Sequence, residues 1–335
     1  MPVCGNGGIR CTIPPYKSGA LAKPPRGWVD FAACCGGETI VAERVFLLDA
    51  SVYVFRAWFS VSDGVSDDEG LPANAVFGYG AFLCDLLERQ RPDYIVAAFD
   101  ESLTSSFRND IYPDYKANRP PPPDDLRRQF QVCQRFTEAL GVPVLASERY
   151  EADDLIGSFA RRVRGDAVSM VYTTADKDLA QLMEGTDSWW DAARDRWLDA
   201  EGVRANLGVA PHQIADLLGL AGDSVDNIPG VPGIGRKTAA ALLAALESLD
   251  GVYADLDAVT RLGLRGAKRV RGLLETHREQ AYLSRELTRI HCEVPLNVSL
   301  DDARWQGWDG GTLDDTPLPR QLRNRALRLA EAYPD

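Results

Sequence analysis

The sequence predicts an α/β fold with a mostly parallel central sheet flanked by helices, followed by a smaller helical subdomain. Short apolar runs at residues 45–48 and 94–99 each end at an aspartate. Continuous apolar runs of this length are typical of strands buried on both faces of a parallel sheet. Helical patterns separate the runs, as parallel strands require. From about Ala210 only helical patterns follow, which indicates a second subdomain.

The composition is that of an ordinary globular protein. The chain has 335 residues, of which 45% are hydrophobic and 26% charged. We expect a cytoplasmic protein, because no apolar run is long enough to span a membrane and residues 1–10 lack the apolar core of a signal peptide. Residues 1–43 are rich in Gly, Pro, Cys and Ala and are expected to form a disordered extension. The seven scattered cysteines fit neither a disulfide framework nor paired zinc ligands.

The first predicted strand covers residues 45–49 and places Asp49 at its carboxyl end. Ligands bind at this edge of open α/β sheets. The segment over residues 51–59 carries Tyr53 and Arg56, and a helix over about 72–89 then returns the chain. The next strand, residues 94–100, ends at Asp100 in the same way.

A basic and aromatic segment follows Asp100. Residues 112–119 read YPDYKANR, and four prolines separate them from a helix starting near Asp124. We expect a mobile excursion here. If this turn is helical, Lys116 and Arg119 lie at i and i+3 on the same face, where their two positive charges could bind a phosphate.

Further acids follow the third and fourth predicted strands, at about 142–145 and 168–172. Asp176 and Asp178 come directly after the fourth strand. Trp189-Trp190 and Trp197-Leu198 indicate a short hairpin at the sheet edge, with the tryptophans in packing roles.

Glu151, Asp153 and Asp154 follow the third strand and precede an apolar-periodic run, which is typical of the first turn of a helix. Acids are common there for dipole and capping reasons alone. Three anions so close together also repel one another, and a divalent cation between them would relieve that repulsion.

The helical part opens with a helix over 211–220, and Asp223 and Asp226 then lie at i and i+3. A glycine-rich hairpin leads into the helix predicted over 239–246. Its glycines and the residues after them are Gly230, Gly233, Gly235, Arg236, Lys237 and Thr238. Backbone amides at a helix N-terminus beside two cations predict a phosphate cradle, and the alternative is a plain turn between helices. Beyond it come a basic patch over 265–271 and two further helices; we assign no structure after about Asp301.

Six sequence motifs together resemble the 5′-nuclease, or flap endonuclease, family, and within it the 5′-3′ exonuclease domain of bacterial DNA polymerase I. They are LLDAS, AFD, FR with YPDYKANR, YEADD, TADKD and GDSVDNIPGVPGIGRKTA, in that order over residues 45–296. The resemblance implies a PIN-like catalytic core over 44–208 with a helical arch near 101–137. It further implies a helix-three-turn-helix DNA-binding subdomain over 209–300 and a tail over 301–335.

By the same resemblance, acids form two metal sites. The first set is Asp49, Asp100, Glu151, Asp153 and Asp154, and the second is Asp176, Asp178, Asp223 and Asp226. Oxygen ligands favour Mg²⁺, for which Mn²⁺ can substitute. Lys116 and Arg119 would stabilise the scissile phosphate at the base of the arch, and Tyr115 would stack on a base. Arg56 and Arg108 are expected phosphate contacts, and the hairpin is expected to recruit a monovalent cation such as K⁺.

The expected function is hydrolysis of DNA 5′ ends and 5′ flaps by a monomer. The net charge of −12 does not oppose DNA binding, because discounting nine metal-bound acids leaves −3. One alternative is a nuclease of related fold that acts on RNA or RNA–DNA hybrids. A non-catalytic branched-DNA binder would lack some of the acids, and a PIN-type toxin ribonuclease would be shorter and lack the hairpin.

Overall fold

The computed structural model describes residues 43–101, 106–165, 168–308 and 313–332. Residues 1–42 of the expected N-terminal extension, with its four cysteines, lie outside these residues, and Glu43 belongs to the first strand. The strands are β1 (Glu43–Asp49), β2 (Tyr94–Asp100), β3 (Val144–Ser147), β4 (Val168–Thr173), β5 (Ser188–Asp191) and β6 (Arg196–Leu198). They form one sheet in the order β3-β2-β1-β4-β5-β6, in which only β6 runs antiparallel to its neighbour. The predicted mostly parallel sheet and its edge hairpin are confirmed.

Helices flank the sheet and then make up the C-terminal part of the fold. Those associated with the sheet are α1 (Ala50–Ser60), α2 (Asn74–Gln90), α3 (Arg108–Ile111), α4 (Asp124–Ala139), α5 (Ala152–Val163) and α6 (Ala200–Leu207). The later helices are α7 (Ile214–Ala221), α8 (Arg236–Leu246), α9 (Leu249–Ala254), α10 (Leu256–Val259), α11 (Ala267–Thr276), α12 (Arg278–Thr288) and α13 (Arg320–Ala332). Within the described ranges, none of these helices has the length and apolarity needed to cross a membrane.

The central strand is buried on both faces, because successive side chains in a strand point to opposite sides. Val45 and Leu47 face a core formed with α5 and the later helices, whereas Phe46 and Leu48 face a core formed with α1, α2 and α4. The paired tryptophans of β5 also point into opposite cores. Their predicted packing role is therefore confirmed.

The helical part and the sheet share one continuous core. Ile214, Leu217 and Leu242 belong to the same buried cluster as Ile156 of α5. Gly157 allows α5 to pack closely against the residues after α12, since a Cβ atom at this position would lie 2.8 Å from Ile290 Cγ2. The acids at the sheet edge and the loops of the helical part are thereby brought together.

The segment after Asp301, to which we assign no structure from the sequence, packs back onto the sheet side of the molecule. Leu322 of α13 fits against Gly80 of α2, where a Cβ atom would lie 2.5 Å from Leu322 Cδ2. Arg325 pairs with Asp85, and Arg323 donates to Asp68 at 2.9 Å. The helix therefore covers α2.

Candidate active site

Acids at the ends of three neighbouring strands share one edge of the sheet. Asp49 ends β1 and Asp100 ends β2, and the chain after β4 carries Asp176 and Asp178. Because β1 lies between β2 and β4 and all three are parallel, their carboxyl ends meet. The acids that line the resulting cavity of about 160 Å³ are Asp49, Asp100, Glu151, Asp153, Asp176, Asp178 and Asp226.

Local hydrogen bonds hold the strand-end acids in place. Asp49 caps α1 by accepting from the Val52 amide at 3.4 Å, and its other oxygen accepts from the Thr174 hydroxyl at 2.8 Å. Asp100 accepts from the Ala152 amide at 2.9 Å, which ties the end of β2 to the start of α5. Sequence reasoning missed Thr174, although it stands inside the TADKD motif.

The cavity opposes the ionisation of its carboxyl groups. Desolvation, followed by repulsion from Asp100, raises the pKa of Asp49 to about 8. Desolvation and repulsion from Asp176 likewise raise the pKa of Asp178 to about 8. Desolvation and neighbouring acids also raise the pKa of Asp153 well above its ordinary value. Such a group of anions favours a bound cation.

Glu151 differs from Asp49, Asp153 and Asp178, because cations stand next to it. Desolvation opposes its charge, but the Lys116 ammonium and the Arg108 guanidinium together hold its pKa below the ordinary value. Lys116 Nζ lies 2.9 Å from Glu151 Oε2 and 3.9 Å from Asp226 Oδ2. Arg119 also pairs with Asp226. Both cations line the cavity together with the acids.

The turn that carries these cations is not helical, so Lys116 and Arg119 do not share a helix face, although both line the cavity. Lys116 adopts the left-handed conformation, with φ at 55°. Tyr115 also differs from expectation, because its ring is 4% exposed and packs with Ile228 and Leu287. Its hydroxyl donates to Glu151 at 3.1 Å, so the ring is not free to stack on a base in this structure.

Asp154 does not face the cavity, which corrects its assignment as a metal ligand. The carboxylate is fully buried and accepts two hydrogen bonds of 2.7 Å from the Arg108 guanidinium. The amides of Glu151 and His291 also donate to it, at 3.1 and 2.9 Å. Both of its oxygens already accept hydrogen bonds, and these bonds fix the first turn of α5 to the residues after α12.

The same pair corrects the role expected of Arg108. The residue lines the cavity but is only 3% exposed, and its Nε donates to the Leu287 carbonyl at 2.8 Å. An arginine whose donors are used in this way does not offer a free guanidinium to DNA. Its partner Asp154 is 46 residues away in sequence, which is why spacing alone did not reveal the pair.

Arg56 lies away from the acids, so its expected phosphate contact stays a prediction and would have to lie outside the acid cavity. It is 7% exposed on α1 and borders a separate cavity of about 360 Å³ with Phe77, Asp85 and Arg325. Burial lowers the pKa of its guanidinium, and the Asp191 carboxylate counteracts that effect.

Asp223 lies beside the cavity and does not line it. Its backbone forms a bridge with Ile228, and its side chain accepts from the Val225 amide at 2.7 Å. Arg236 stands 3.9 Å from the other oxygen. Asp226, the second acid of this loop, is thus the one that faces the strand-end acids.

The glycine-rich hairpin joins α7 to α8 as predicted, and α8 begins at Arg236, three residues before the predicted start. Arg236, Lys237 and Thr238 therefore form its first turn, next to Gly235 as N-cap. Gly230, with φ at 58°, packs so closely on Gly222 that a Cβ atom would lie 2.2 Å from the Gly222 nitrogen. Gly233 also has a positive φ, of 86°. Arg236, Lys237 and Gly235 are exposed to solvent.

The donor set suits a hard divalent cation, because every acid offers oxygen. Within the described part of the chain, no three acid, histidine or cysteine side chains converge closely enough to hold one ion. Mg²⁺ keeps several of its water ligands and needs only one or two carboxylates. The acids therefore fit a hydrated Mg²⁺ ion, because three side chains need not contact the same ion directly.

Comparison with known proteins gives two family models that together cover most of the chain. Residues 44–208 match the 5′-3′ exonuclease N-terminal resolvase-like domain, and residues 209–311 match the 5′-3′ exonuclease C-terminal SAM fold. The DNA polymerase I of Pseudomonas aeruginosa is 42% identical over 256 residues, which are 76% of this chain and 28% of that protein. The Bacillus caldotenax DNA polymerase I is 36% identical over 80% of this chain and 30% of its own length. The chain thus spans less than a third of the length of these two relatives.

Two solved structures share the fold. The T5 5′-exonuclease with bound zinc ions has a TM-score of 0.59 and 20% identity, covering 86% of this chain and all of that one. The catalytic core of Rad2 in complex with a DNA substrate has a TM-score of 0.53 and 16% identity, covering 86% and 92%. Both likenesses support the predicted combination of a parallel sheet with a C-terminal helical part.

Proposed function

The chain belongs to the 5′-3′ exonuclease family, and on that premise we propose that it is a divalent-metal-dependent nuclease acting on DNA 5′ ends and 5′ flaps. The observation that carries this proposal is the cavity at the sheet edge, where seven carboxylates meet Lys116 and Arg119 as well as the buried Arg108. Such a site combines ligands for metal ions with donors for a phosphate. Its products would carry a 5′ phosphate.

We assign the metal ligands to two groups. Asp49, Asp100, Glu151 and Asp153 would surround one hydrated ion, and Asp176, Asp178 and Asp226 a second, with some of these acids and Asp223 acting through the water ligands of the ion. Asp154 is left out because Arg108 occupies its oxygens. When bound, two Mg²⁺ or Mn²⁺ ions supply the charge that stabilises the attacking and leaving oxygens of an in-line displacement.

Lys116 and Arg119 would hold the scissile phosphate. Both are paired with carboxylates that we assign as ligands, Glu151 and Asp226. Once those carboxylates bind metal, their attraction for the two side chains falls, and the ammonium and guanidinium can donate to a phosphate oxygen instead. The chain would thereby exchange an internal ion pair for a contact with its substrate.

The hairpin between α7 and α8 would grip the duplex beside the cut. Its exposed first turn presents backbone amides together with Arg236 and Lys237. These groups suit a phosphate and read no base sequence. A monovalent cation such as K⁺ bound by the hairpin carbonyls would add to this contact. On this proposal residues 44–208 carry most of the chemistry, and residues 209–300 add Asp223 and Asp226 to the metal site and hold the duplex.

The test is cleavage of a 5′-labelled flap duplex with Mg²⁺ and with EDTA. We expect cuts near the junction that require Mg²⁺, and a loss of about 10³-fold or more for Asp153→Ala, since a metal contributes several kcal/mol to the transition state. Asp93→Ala, which removes an exposed acid outside the cavity, is the matched control.

A parallel cleavage assay uses the same flap duplex with RNA in place of DNA in the labelled strand. Faster cleavage of that hybrid would shift the substrate class to RNA–DNA. Tight flap binding without metal-dependent cutting would contradict the nuclease proposal and favour a binding role.

A further inference from the structure

Two segments that are more than 100 residues apart are fastened together at the mouth of the acid cavity. The Asn227 amide side chain donates to the Asp114 carbonyl at 2.7 Å, and the Asn118 amide side chain donates to the Ser224 carbonyl at 3.0 Å. Between them, the Lys116 amide donates to the Asp226 carbonyl at 3.0 Å. The two side-chain hydrogen bonds run in opposite directions and are called the asparagine clasp below.

The backbone at the clasp has an unusual conformation on both sides. Lys116 has φ at 55° and Asn227 has φ at 57°. Asparagine visits this left-handed region more readily than most residues, but lysine does so at a cost of about 1 kcal/mol or more. Such a conformation persists when surrounding contacts hold it. At Lys116 those contacts are its backbone bond to Asp226 and the asparagine bonds on either side.

We propose that Asn118 and Asn227 are positioning residues that set Lys116 and Arg119 at the mouth of the acid cavity. Neither asparagine lines the cavity, so both act through the cations and through Asp226. This inference rests on the proposed function, because it takes the cations as the groups that hold the scissile phosphate. It adds that their placement depends on a contact between the sheet part and the helical part.

The clasp predicts a specific division between chemistry and binding. Loss of either asparagine bond lets the 114–119 segment swing away, which lowers the rate of the chemical step. The duplex would still be gripped at the hairpin before α8, so binding affinity changes little. Because either loss opens the same contact, removing both bonds costs about as much as removing the more important one.

The first test does not depend on nuclease activity. Trypsin can cut after Lys116, whereas Arg119 is protected because Pro120 follows it. We expect Asn227→Gly to raise the rate of cutting at Lys116 about threefold to tenfold, since one hydrogen bond is lost and proteolysis reports the open population. Glu247→Gly is the matched control, because it also replaces a left-handed residue (φ 66°) by glycine, away from the clasp. No change at Lys116, or an equal increase at every tryptic site, would overturn the proposal.

The second test asks whether Asn227 acts through Lys116. Single-turnover cleavage of a 5′-flap duplex is compared for Asn227→Gly in the wild-type and Lys116→Ala backgrounds. We expect the cleavage rate to fall about tenfold in the first background, with the duplex Kd changed less than about twofold, and to fall clearly less in the second, where Asn227 can act only through Arg119 and Asp226. An equal loss in both backgrounds would show a general structural effect. If the wild-type protein does not cleave, the proposed function fails, while the trypsin result still decides the clasp.

Discussion

Arg108 and Asp154 show how a residue's role depends on a partner that sequence spacing does not reveal. Both stand in motifs shared with nucleases, and both were expected to face the substrate or the metal. In the structure they form a buried, bidentate ion pair that also fastens α5 to the residues after α12. Glu151 and Asp153, the neighbours of Asp154 in sequence, line the cavity, whereas Asp154 does not. The motif therefore identifies the right segment, but only the structure shows that Asp154 has a structural role while Glu151 and Asp153 face the cavity.

Removing one partner of this pair should destabilise the protein strongly. Arg108→Ala leaves the Asp154 carboxylate buried without its guanidinium, which costs about 3–5 kcal/mol. We expect a fall in Tm of roughly 10 °C by calorimetry. Arg149→Ala, which breaks an exposed pair with Asp110, is the control and should change stability by less than about 1 kcal/mol. A Tm for Arg108→Ala equal to that of the control would contradict the structural role.

At the scale of single elements, periodicity and capping predicted most helices and strands well. Gly235 and the basic residues after it start α8 three residues earlier than the apolar pattern suggested, because the pattern begins only at Ala239. The turn at Lys116 could not be predicted, since its left-handed backbone is held by the distant loop of Asp226. The same limit applies to α13, whose packing on α2 depends on the space left by Gly80.

The first turn of α8 is the element on which duplex binding is proposed to depend. We expect Lys237→Ala to weaken binding to duplexes of any sequence and to reduce the slope of log K against log salt by about 1, because one phosphate contact is lost. Single-turnover cleavage at saturating protein should change little. Arg204→Ala on α6 is the control. A sequence-dependent loss, or an unchanged salt slope, would argue against a phosphate contact there.

At the scale of the whole molecule, the cavity is assembled from acids between Asp49 and Asp226, contributed by the sheet edge and by the helical part. The sequence identifies most of these acids because they follow a strand or begin a helix, and it identifies Asp226 by its i, i+3 spacing from Asp223 in the loop after α7. It does not predict that Lys116 and Arg119 pair with them, that Tyr115 is buried, or that Arg56 borders a different cavity. Those outcomes depend on how the two parts dock through their shared core.

The most direct test of the central claim is the dependence of single-turnover flap cleavage on free Mg²⁺. If the two groups of carboxylates bind two ions, the logarithm of the rate should rise with the logarithm of Mg²⁺ with a slope approaching two below saturation. Asp153→Asn should remain at least about 10³-fold slower at every concentration. Cleavage that persists in EDTA, or an Asp153→Asn protein as fast as the wild type, would contradict the account.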